Sequence, residues 1–231
     1  MLGYRSDRYA EGTPHPDSLE KGAWQRLGLD FFRQDTGARS NYRVDERASM
    51  LKDAKMNLDE LRAAQAPLKA RYRTEPSAAL VIQTATGTLD ASAQVCHVET
   101  HLGALQAGLH PATGGDGTKA CAGDMLLQAL VACAGVTLSA VATAMGITVR
   151  AGRIRAEGEI DFRGTLGVSR ETPVGFQRVR LCLDIDTDAE PDAQKKLIEL
   201  TERYCVVYQT LRQPPVISTI EAPELHSRSQ E

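Results

Sequence analysis

Residues 114–147 read GGDGTKACAGDMLLQALVACAGVTLSAVATAMGI, and this stretch decides the fold. Glycines crowd its start, so a loop leads into an apolar run from Met125 to Val149. Alanine is frequent in this run, and the residues that interrupt it include Gln128, Thr137, Ser139, Thr143 and Gly146. Apolar residues lie on every side of a helical projection, which predicts a buried central helix rather than a membrane span. Asp124 is the predicted N-cap, and Gly146 the predicted end.

Strand patterns flank this helix on both sides. Before it, Ala78–Ala85 (AALVIQTA) and Ala93–His101 (AQVCHVETH) predict a hairpin joined by a glycine-containing turn. After it, TVRAGRIRAEGEIDFRG (148–164) and GFQRVRLCLDIDT (175–187) predict two more strands, and the second of these alternates strictly. Antiparallel-looking strand groups with helices between them predict an α+β fold.

The first 75 residues differ from the rest of the chain. Residues 1–45 are polar and irregular, which predicts either an arm that packs on a partner or a disordered tail. A helical stripe runs from Val44 to Tyr72, and we expect Pro67 to kink or divide it. The chain is therefore expected to have an N-terminal arm and helical extension over 1–75 and a second domain over 76–231.

A further helix is predicted after the second strand group. It opens at Asp188 and Pro191 and runs through Cys205. Pro214 and Pro215 end this helix, because proline cannot continue one. Val216–Ile220 then predicts a short strand that closes the domain.

The bulk composition limits the class of protein. Of 231 residues, 42% are hydrophobic and only 5% are aromatic, which predicts a folded chain with a mostly aliphatic core. The net charge is −3, so there is no electrostatic reason to expect binding to nucleic acid or to an anionic membrane. The opening residues, MLGYRSDRYAEG, lack the apolar stretch of a secretory signal, and we expect a cytoplasmic location.

Five cysteines carry the candidate chemistry: Cys96, Cys121, Cys133, Cys182 and Cys205. No two of them are separated by only two residues, and no Cys/His cluster has zinc-finger spacing, so no metal site is predicted. The Gly-rich loop lacks the Gly-Lys-Ser/Thr ending of a P-loop, so no nucleotide or other cofactor is predicted either. Cytosolic cysteines are usually buried small hydrophobes or reactive thiols, and spacing alone leaves both alternatives open.

Two segments resemble the OsmC/Ohr family, named for osmotically inducible protein C and organic hydroperoxide resistance protein. The stretch quoted above is similar to the family's Gly-rich loop and first-cysteine helix, and LTERYCVVYQTL (200–211) is similar to its second-cysteine helix. The resemblance covers about Ala78 to Ile220. It implies an OsmC-like fold with two antiparallel strand groups and central helices, in an intertwined homodimer whose reactive sites lie at the interface.

The resemblance also implies a thiol peroxidase cycle in oxidative and osmotic stress defence. The Cys133 thiolate would reduce an organic hydroperoxide to an alcohol and become a sulfenic acid. Cys205 would condense with that acid to a disulfide, which a lipoyl or thioredoxin-like dithiol protein would reduce. The chemistry favours two cysteines, because a second thiol prevents irreversible over-oxidation of the first.

Two charged positions of the family differ in this chain. The organic hydroperoxide resistance branch has an Arg before the helix and a Glu at its start, whereas no Arg lies between Arg73 and Arg150 here. Arg163 is the substitute considered for the Arg, and Asp124 is the nearest acid. Nine helical steps place Asp124 opposite Cys133, so capping is its alternative role. The missing Arg keeps a non-enzymatic redox sensor or a binder of a hydrophobic ligand open as the alternative function.

The remaining cysteines and two tyrosines have structural alternatives. Cys96 and Cys182 lie in strand patterns and are predicted to be sheet residues. Cys121 lies near a helix start, where the helix dipole favours a thiolate, so it is a candidate third redox thiol. Tyr204 and Tyr208 are four residues apart and either line the pocket or pack in the core.

Overall fold

The computed structural model describes residues 57–220. The predicted arm over 1–45 and the beginning of the predicted helix from Val44 lie outside these residues. Contacts divide the chain into Met1–Ala54 and Lys55–Glu231, and the described residues belong to the second unit. The domain boundary expected at residue 75 stays a prediction.

Helix α1 (Leu58–Thr74) begins with a capping box. The Asn57 side chain accepts a hydrogen bond from the N–H of Glu60, and the Glu60 carboxylate accepts one from the N–H of Asn57, both at 2.9 Å. Of the two effects expected of Pro67, division of the helix is wrong, because α1 is continuous through it, and a kink stays a prediction. Because proline has no backbone N–H, the helix lacks one hydrogen bond at Pro67. The capping box stabilises the turns before it.

The first sheet has four strands: β1 (Gly87–Asp90), β2 (Val95–Thr100), β3 (Gly103–Gly108) and β4 (Ala120–Cys121). They lie side by side in chain order. β1–β2 and β2–β3 are antiparallel, and β3–β4 is a short parallel pair. The second strand of the predicted hairpin is therefore confirmed as β2.

The strand predicted over Ala78–Ala85 is wrong. A 3₁₀ turn covers Pro76–Ala79, and no strand follows before Gly87, which pairs with Val98. Residues with high β propensity become a strand only where a neighbour takes up their backbone hydrogen bonds. The strand predicted over Val216–Ile220 is absent for the same reason, since no strand within the described residues pairs with it.

Helix α2 (Ala122–Met145) confirms the predicted central helix. Gly146 ends it in the left-handed conformation (φ 71°), as predicted. The prediction that Asp124 is the N-cap is wrong, because the cap is Cys121. Strand β4 ends at Cys121 in extended backbone, and the helix begins at the next residue, which leaves Asp124 in the first turn.

The backbone of the Gly-rich loop before α2 lies very close to the backbone of Leu109. A Cβ on Gly115 would lie 1.9 Å from the carbonyl oxygen of Leu109, so only glycine fits there. Gly114 caps a 3₁₀ turn in the left-handed region at φ 95°. The Asp116 carboxylate accepts hydrogen bonds from the N–H and the hydroxyl of Thr118, at 2.8 and 2.6 Å. Packing and turn geometry thus account for the glycines.

The second sheet is the predicted antiparallel pair, β5 (Val149–Ile160) and β6 (Phe176–Thr187). A one-turn helix, α3 (Phe162–Thr165), follows β5. Alternate residues of β6 pack against the two buried clusters that α2 forms with Cys205 and with Leu197, which confirms the predicted alternation: Val179, Leu181, Leu183 and Ile185. Every fourth residue along the middle of α2 is buried, and together these residues form one stripe on the helix: Leu130, Ala134, Leu138 and Ala142.

The single helix predicted to run through Cys205 is wrong, because the structure has two helices there. Helix α4 (Pro191–Tyr204) and helix α5 (Val206–Arg212) meet at Cys205, whose backbone is extended (φ −74°, ψ 110°). The break carries the Cys205 side chain into the core, where it is completely buried. The carbonyl of Glu202 accepts a hydrogen bond from the Gln209 side chain at 2.8 Å, which compensates the interrupted helix.

Helix α2 is long and apolar enough to cross a membrane, by length and composition alone. Within the described residues it packs against β5, α4 and α5, and its buried stripe lies in two aliphatic clusters. These contacts are those of the central helix that the sequence predicted.

Candidate thiol site

The structure brings Cys133 and Cys205 together. Cys133 lies in the middle of α2, and Cys205 lies at the junction of α4 and α5. Cys205 forms a buried cluster with Leu130 and Ala134, and Cys133 packs against this cluster. Both sulfurs are free thiols, as are those of the other three cysteines. Two residues that are distant in sequence are therefore neighbours across the interface of α2 with α5.

Hydrogen-bond donors surround the Cys133 sulfur. Partial burial disfavours its thiolate, but the N–H of Val207, the thiol of Cys205 and the N–H of Val206 act in the opposite direction. The hydroxyl of Thr137, one turn further along α2, adds to them. Together these donors lower the pKa of Cys133 below its ordinary value. Because the thiolate is the nucleophilic form, Cys133 is the sulfur prepared to react.

The pKa of the Cys205 thiol is shifted in the opposite direction to that of Cys133. Burial raises the pKa of Cys205, the N–H groups of Tyr208 and Val207 oppose that effect, and the neighbouring Cys133 raises it further. Cys205 therefore keeps its proton while Cys133 ionises. One thiolate beside one thiol is the arrangement in which the first sulfur attacks and the second resolves the oxidised product.

A cavity of about 540 Å³ opens between α2, β6 and α5, and it is lined by helical neighbours of the two cysteines and not by the cysteines themselves. Leu130 lies one turn before Cys133 on α2, Tyr208 lies one turn after Cys205 on α5, and both line the cavity. β6 forms the third wall with apolar residues that include Leu181. Ligand pockets typically measure ~300–1,000 Å³ and are mostly apolar, so this cavity is large enough for an organic ligand.

The two charged candidates lie away from the thiols. Asp124 is exposed in the first turn of α2, and its position on the helix is opposite to that of Cys133. The Arg163 side chain is 65% exposed, and its guanidinium pairs with the Asp161 carboxylate at 2.5 Å. Neither Asp124 nor Arg163 is among the groups that shift the pKa of Cys133. Their catalytic roles stay predictions.

The other cysteines occupy three different elements. Cys96 lies in β2 and Cys182 in β6, so both are the strand residues that the sequence predicted. Cys121 is half-buried at the start of α2, and its redox role stays a prediction. Of the two tyrosines, Tyr208 lines the cavity, whereas Tyr204 is 57% exposed.

Sequence reasoning missed Arg212. It lines the cavity from α5, one helical turn after Tyr208, and it interacts with the Tyr208 hydroxyl. The four-residue spacing of Tyr208 and Arg212 was a usable signal for a shared helix face. The break between α4 and α5 at Cys205 could not be predicted from the sequence, and this break determines the direction of the helix face that carries Tyr208 and Arg212.

A family model described as OsmC-like protein matches residues 115–220. These residues form an OsmC-like domain. The domain includes α2, the β5–β6 sheet and both helices that meet at Cys205, and therefore both candidate thiols. The family resemblance and the OsmC-like α+β fold predicted from the sequence are confirmed.

Several solved structures are similar to the OsmC-like domain at low sequence identity. An OsmC-like protein from Mycoplasma pneumoniae is 18% identical, with a TM-score of 0.49 over 58% of this chain and 89% of its own. An organic hydroperoxide resistance protein OsmC from Legionella pneumophila is 20% identical, with a TM-score of 0.45 over 58% of this chain and 91% of its own. The organic hydroperoxide resistance protein OhrB of Bacillus subtilis is 17% identical, with a TM-score of 0.40 over 58% of this chain and 93% of its own. None of the curated proteins matches this chain.

Proposed function

We propose that this protein is a thiol-dependent peroxidase that reduces organic hydroperoxides in oxidative and osmotic stress defence. The observation that carries the proposal is the packing of Cys133 against Cys205, one helical turn from residues that line an apolar cavity. Membership of residues 115–220 in the OsmC-like family supports it. The apolar wall favours an alkyl hydroperoxide over hydrogen peroxide, because only the former gains free energy by burying hydrocarbon.

The proposed cycle balances with one hydroperoxide and one dithiol. The Cys133 thiolate attacks the distal peroxide oxygen; the O–O bond breaks, an S–O bond forms, and the alkoxide takes up a proton and leaves as an alcohol. The Cys205 thiol then attacks the sulfenic sulfur, an S–S bond forms, and water leaves. A dithiol protein of the lipoyl or thioredoxin-like type returns two electrons by thiol–disulfide exchange. A cytoplasmic location would supply such a reductant.

Cysteine variants test the proposal directly. Cys133→Ser should abolish the consumption of cumene hydroperoxide supported by a dithiol. Cys205→Ser should consume one equivalent to form the Cys133 sulfenic acid and, in excess hydroperoxide, a second equivalent to oxidise it to sulfinic acid, because no thiol resolves the sulfenic acid. Cys96→Ser, in the other sheet, is the matched control and should behave as the wild type. Unchanged turnover in Cys133→Ser would refute the proposal.

Arg163 and Asp124 stay in the proposal as charged groups to be tested. Asp124→Asn removes the charge and keeps the shape, and Arg163→Gln removes the charge with a shorter polar side chain. If either residue assists the reaction at Cys133, its variant should lower kcat without unfolding the domain. Loss of the Arg163–Asp161 pair alone would have only a small effect, since exposed ion pairs contribute little to stability.

A redox sensor or a binder of hydrophobic ligands is the second candidate function. The observation that favours it is the nature of the groups around Cys133: within residues 57–220 they are N–H, thiol and hydroxyl donors and include no guanidinium. A sensor would form the disulfide with one equivalent of hydroperoxide but would not turn over. Steady-state turnover with several dithiols, together with ligand binding by Cys133→Ser, separates the two functions.

We further propose that the domain works as a homodimer. Large aliphatic side chains are exposed on α2 and in the unpaired segments on either side of the domain, such as Val136 (73%), Ile82 (91%) and Val216 (99%). Exposed apolar area of this extent is typical of a surface that a partner covers. Light scattering should give twice the chain mass, and Val136→Asp should shift it towards the monomer. A wild-type monomer at high concentration would contradict this proposal.

A further inference from the structure

The junction of α4 and α5 lacks one hydrogen bond of a continuous helix. In an unbroken helix, the N–H of Val206 would donate to the carbonyl of Glu202, four residues earlier. The bond before it is present, from the N–H of Cys205 to the carbonyl of Thr201 at 2.9 Å. No N–H of the α5 backbone donates to the Glu202 carbonyl. That carbonyl therefore needs another donor, because it lies in partly buried surroundings.

Gln209 supplies the missing donor. Its side-chain amide donates to the Glu202 carbonyl at 2.8 Å, and its own N–H donates to the carbonyl of Cys205 at 3.0 Å. Gln209 thus joins the last turn of α4 to the first turn of α5, while the backbone of Cys205 stays extended between them. Its amide occupies the acceptor that would otherwise draw the N–H of Val206 back into α4.

The break leaves the first N–H groups of α5 without helical acceptors. Those of Val206 and Val207 act on the sulfur of Cys133. Those of Val207 and Tyr208 act on the sulfur of Cys205. Cys133, Val207 and Tyr208 all pack against the buried cluster that contains Cys205, so the start of α5 lies at both sulfurs. An N–H of Val206 that returned to α4 would be lost to Cys133.

We propose that Gln209 is a positioning residue: by occupying the Glu202 carbonyl, it keeps the first N–H groups of α5 at the Cys133 sulfur. The inference rests on the proposed peroxidase function and adds the residue that keeps the attacking sulfur ionised. Hydrogen bonds to the charged form of a group favour that form, so each N–H held there favours the thiolate. Gln209 does not line the cavity, and its effect passes through the backbone of α5.

The test is Gln209→Met, which keeps the length of the side chain and removes its donor. Alkylation of Cys133 by iodoacetamide is followed by peptide mass spectrometry across the pH range. The midpoint should move to higher pH, with the acid dissociation constant of Cys133 lowered roughly three- to tenfold, about the contribution of one hydrogen bond. The rate at the alkaline plateau should not fall, because every Cys133 is then a thiolate. An unchanged midpoint would overturn the inference.

Two further variants guard this result. Gln213→Met is the matched control, because Gln213 is exposed beyond the end of α5, and its profile should equal that of the wild type. Gln209→Ala removes the donor without placing an apolar side chain on the Glu202 carbonyl, and it should shift the midpoint as Gln209→Met does. Circular dichroism verifies that each variant is folded. A shift as large in Gln213→Met as in Gln209→Met would also overturn the inference.

The other titratable groups near Cys133 do not obscure the profile. Cys205 and Tyr208 belong to the same cluster. Burial raises the pKa of Cys205 and that of Tyr208, so both keep their protons while Cys133 ionises.

A double variant distinguishes positioning from a general loosening of the site. Thr137 acts on Cys133 from α2, so its contribution does not depend on the junction of α4 and α5. Thr137→Val should therefore shift the midpoint by the same amount in the wild type and in the Gln209→Met background. A smaller shift in that background would show that the whole site has loosened, and the positioning role would fail.

Alkylation needs no hydroperoxide, so its outcome is independent of the peroxidase proposal. If the midpoint moves but the wild type turns over no hydroperoxide, the peroxidase proposal fails and the role of Gln209 stands. If turnover occurs and the midpoint is unchanged, only the role of Gln209 fails. Where both hold, Gln209→Met should lower kcat/KM for cumene hydroperoxide near neutral pH, and the loss should disappear at higher pH.

Discussion

The close approach of β5 to the Phe176 ring allows a sharp test of the cavity wall. Gly158 is paired with Val179, and a Cβ at Gly158 would lie 2.5 Å from Cε1 and 2.6 Å from Cδ1 of Phe176. Carbon atoms in contact normally lie ~3.5–4.0 Å apart, so Gly158→Ala forces the ring to move by about an ångström. Since Phe176 lines the cavity, that movement changes the shape of the proposed substrate site.

The size of the effect follows from two opposing contributions. Over-packing of this kind costs ~1–3 kcal/mol. Replacing glycine by alanine returns ~0.4–1 kcal/mol by reducing the entropy of the unfolded chain. We expect Gly158→Ala to lower the free energy of unfolding by about 1–2 kcal/mol. Gly152→Ala on the same strand is the matched control, because its Cβ would lie 3.5 Å from Ile185, an ordinary contact.

Urea unfolding followed by circular dichroism measures the difference. Both variants and the wild type are compared at one protein concentration, because an oligomer's stability depends on concentration. The unfolding midpoint of Gly158→Ala should fall at an unchanged slope, and that of Gly152→Ala should stay or rise slightly. Equal midpoints for the two variants would show that the ring of Phe176 does not press against β5 as described.

Further predictions concern the thiols and the core. Cys205→Ala should raise the pKa of Cys133 by removing a donor, which shifts the pH profile of iodoacetamide alkylation upward; Cys205→Ser keeps an O–H donor and should shift it less. Thr137→Val should shift the profile in the same direction by a smaller amount. Because folding lowers the pKa of Cys133, its thiolate stabilises the fold above the unfolded pKa, and this contribution is lost as the pH falls through the folded pKa. Leu197→Ala should cost ~2–5 kcal/mol in urea unfolding, because Leu197 is completely buried against α2.

The central elements could be predicted because their patterns are strong and local. Helix α2 follows from an apolar run that ends at a left-handed glycine, Gly146, and β6 follows from strict alternation between Val179 and Ile185. The pairing of Cys133 with Cys205 followed from the family resemblance and not from spacing, since only the fold brings these residues together.

The rest depended on contacts that no local pattern contains. Ala78–Ala85 has the composition of a strand but finds no partner within the described residues, so composition alone misled. The helix break at Cys205 follows the burial of its side chain against α2, which is a tertiary effect. Arg212 became recognisable only once that break had fixed the direction of α5.

Non-reducing peptide mapping after one equivalent of an organic hydroperoxide tests the central claim most directly. If the two sulfurs act as attacking and resolving thiols, mass spectrometry should find one dominant disulfide-linked pair, which joins the peptides of Cys133 and Cys205. Cys96, Cys121 and Cys182 should stay reduced. A sulfinic acid on Cys133 with Cys205 still a free thiol, or a disulfide to another cysteine, would contradict the account.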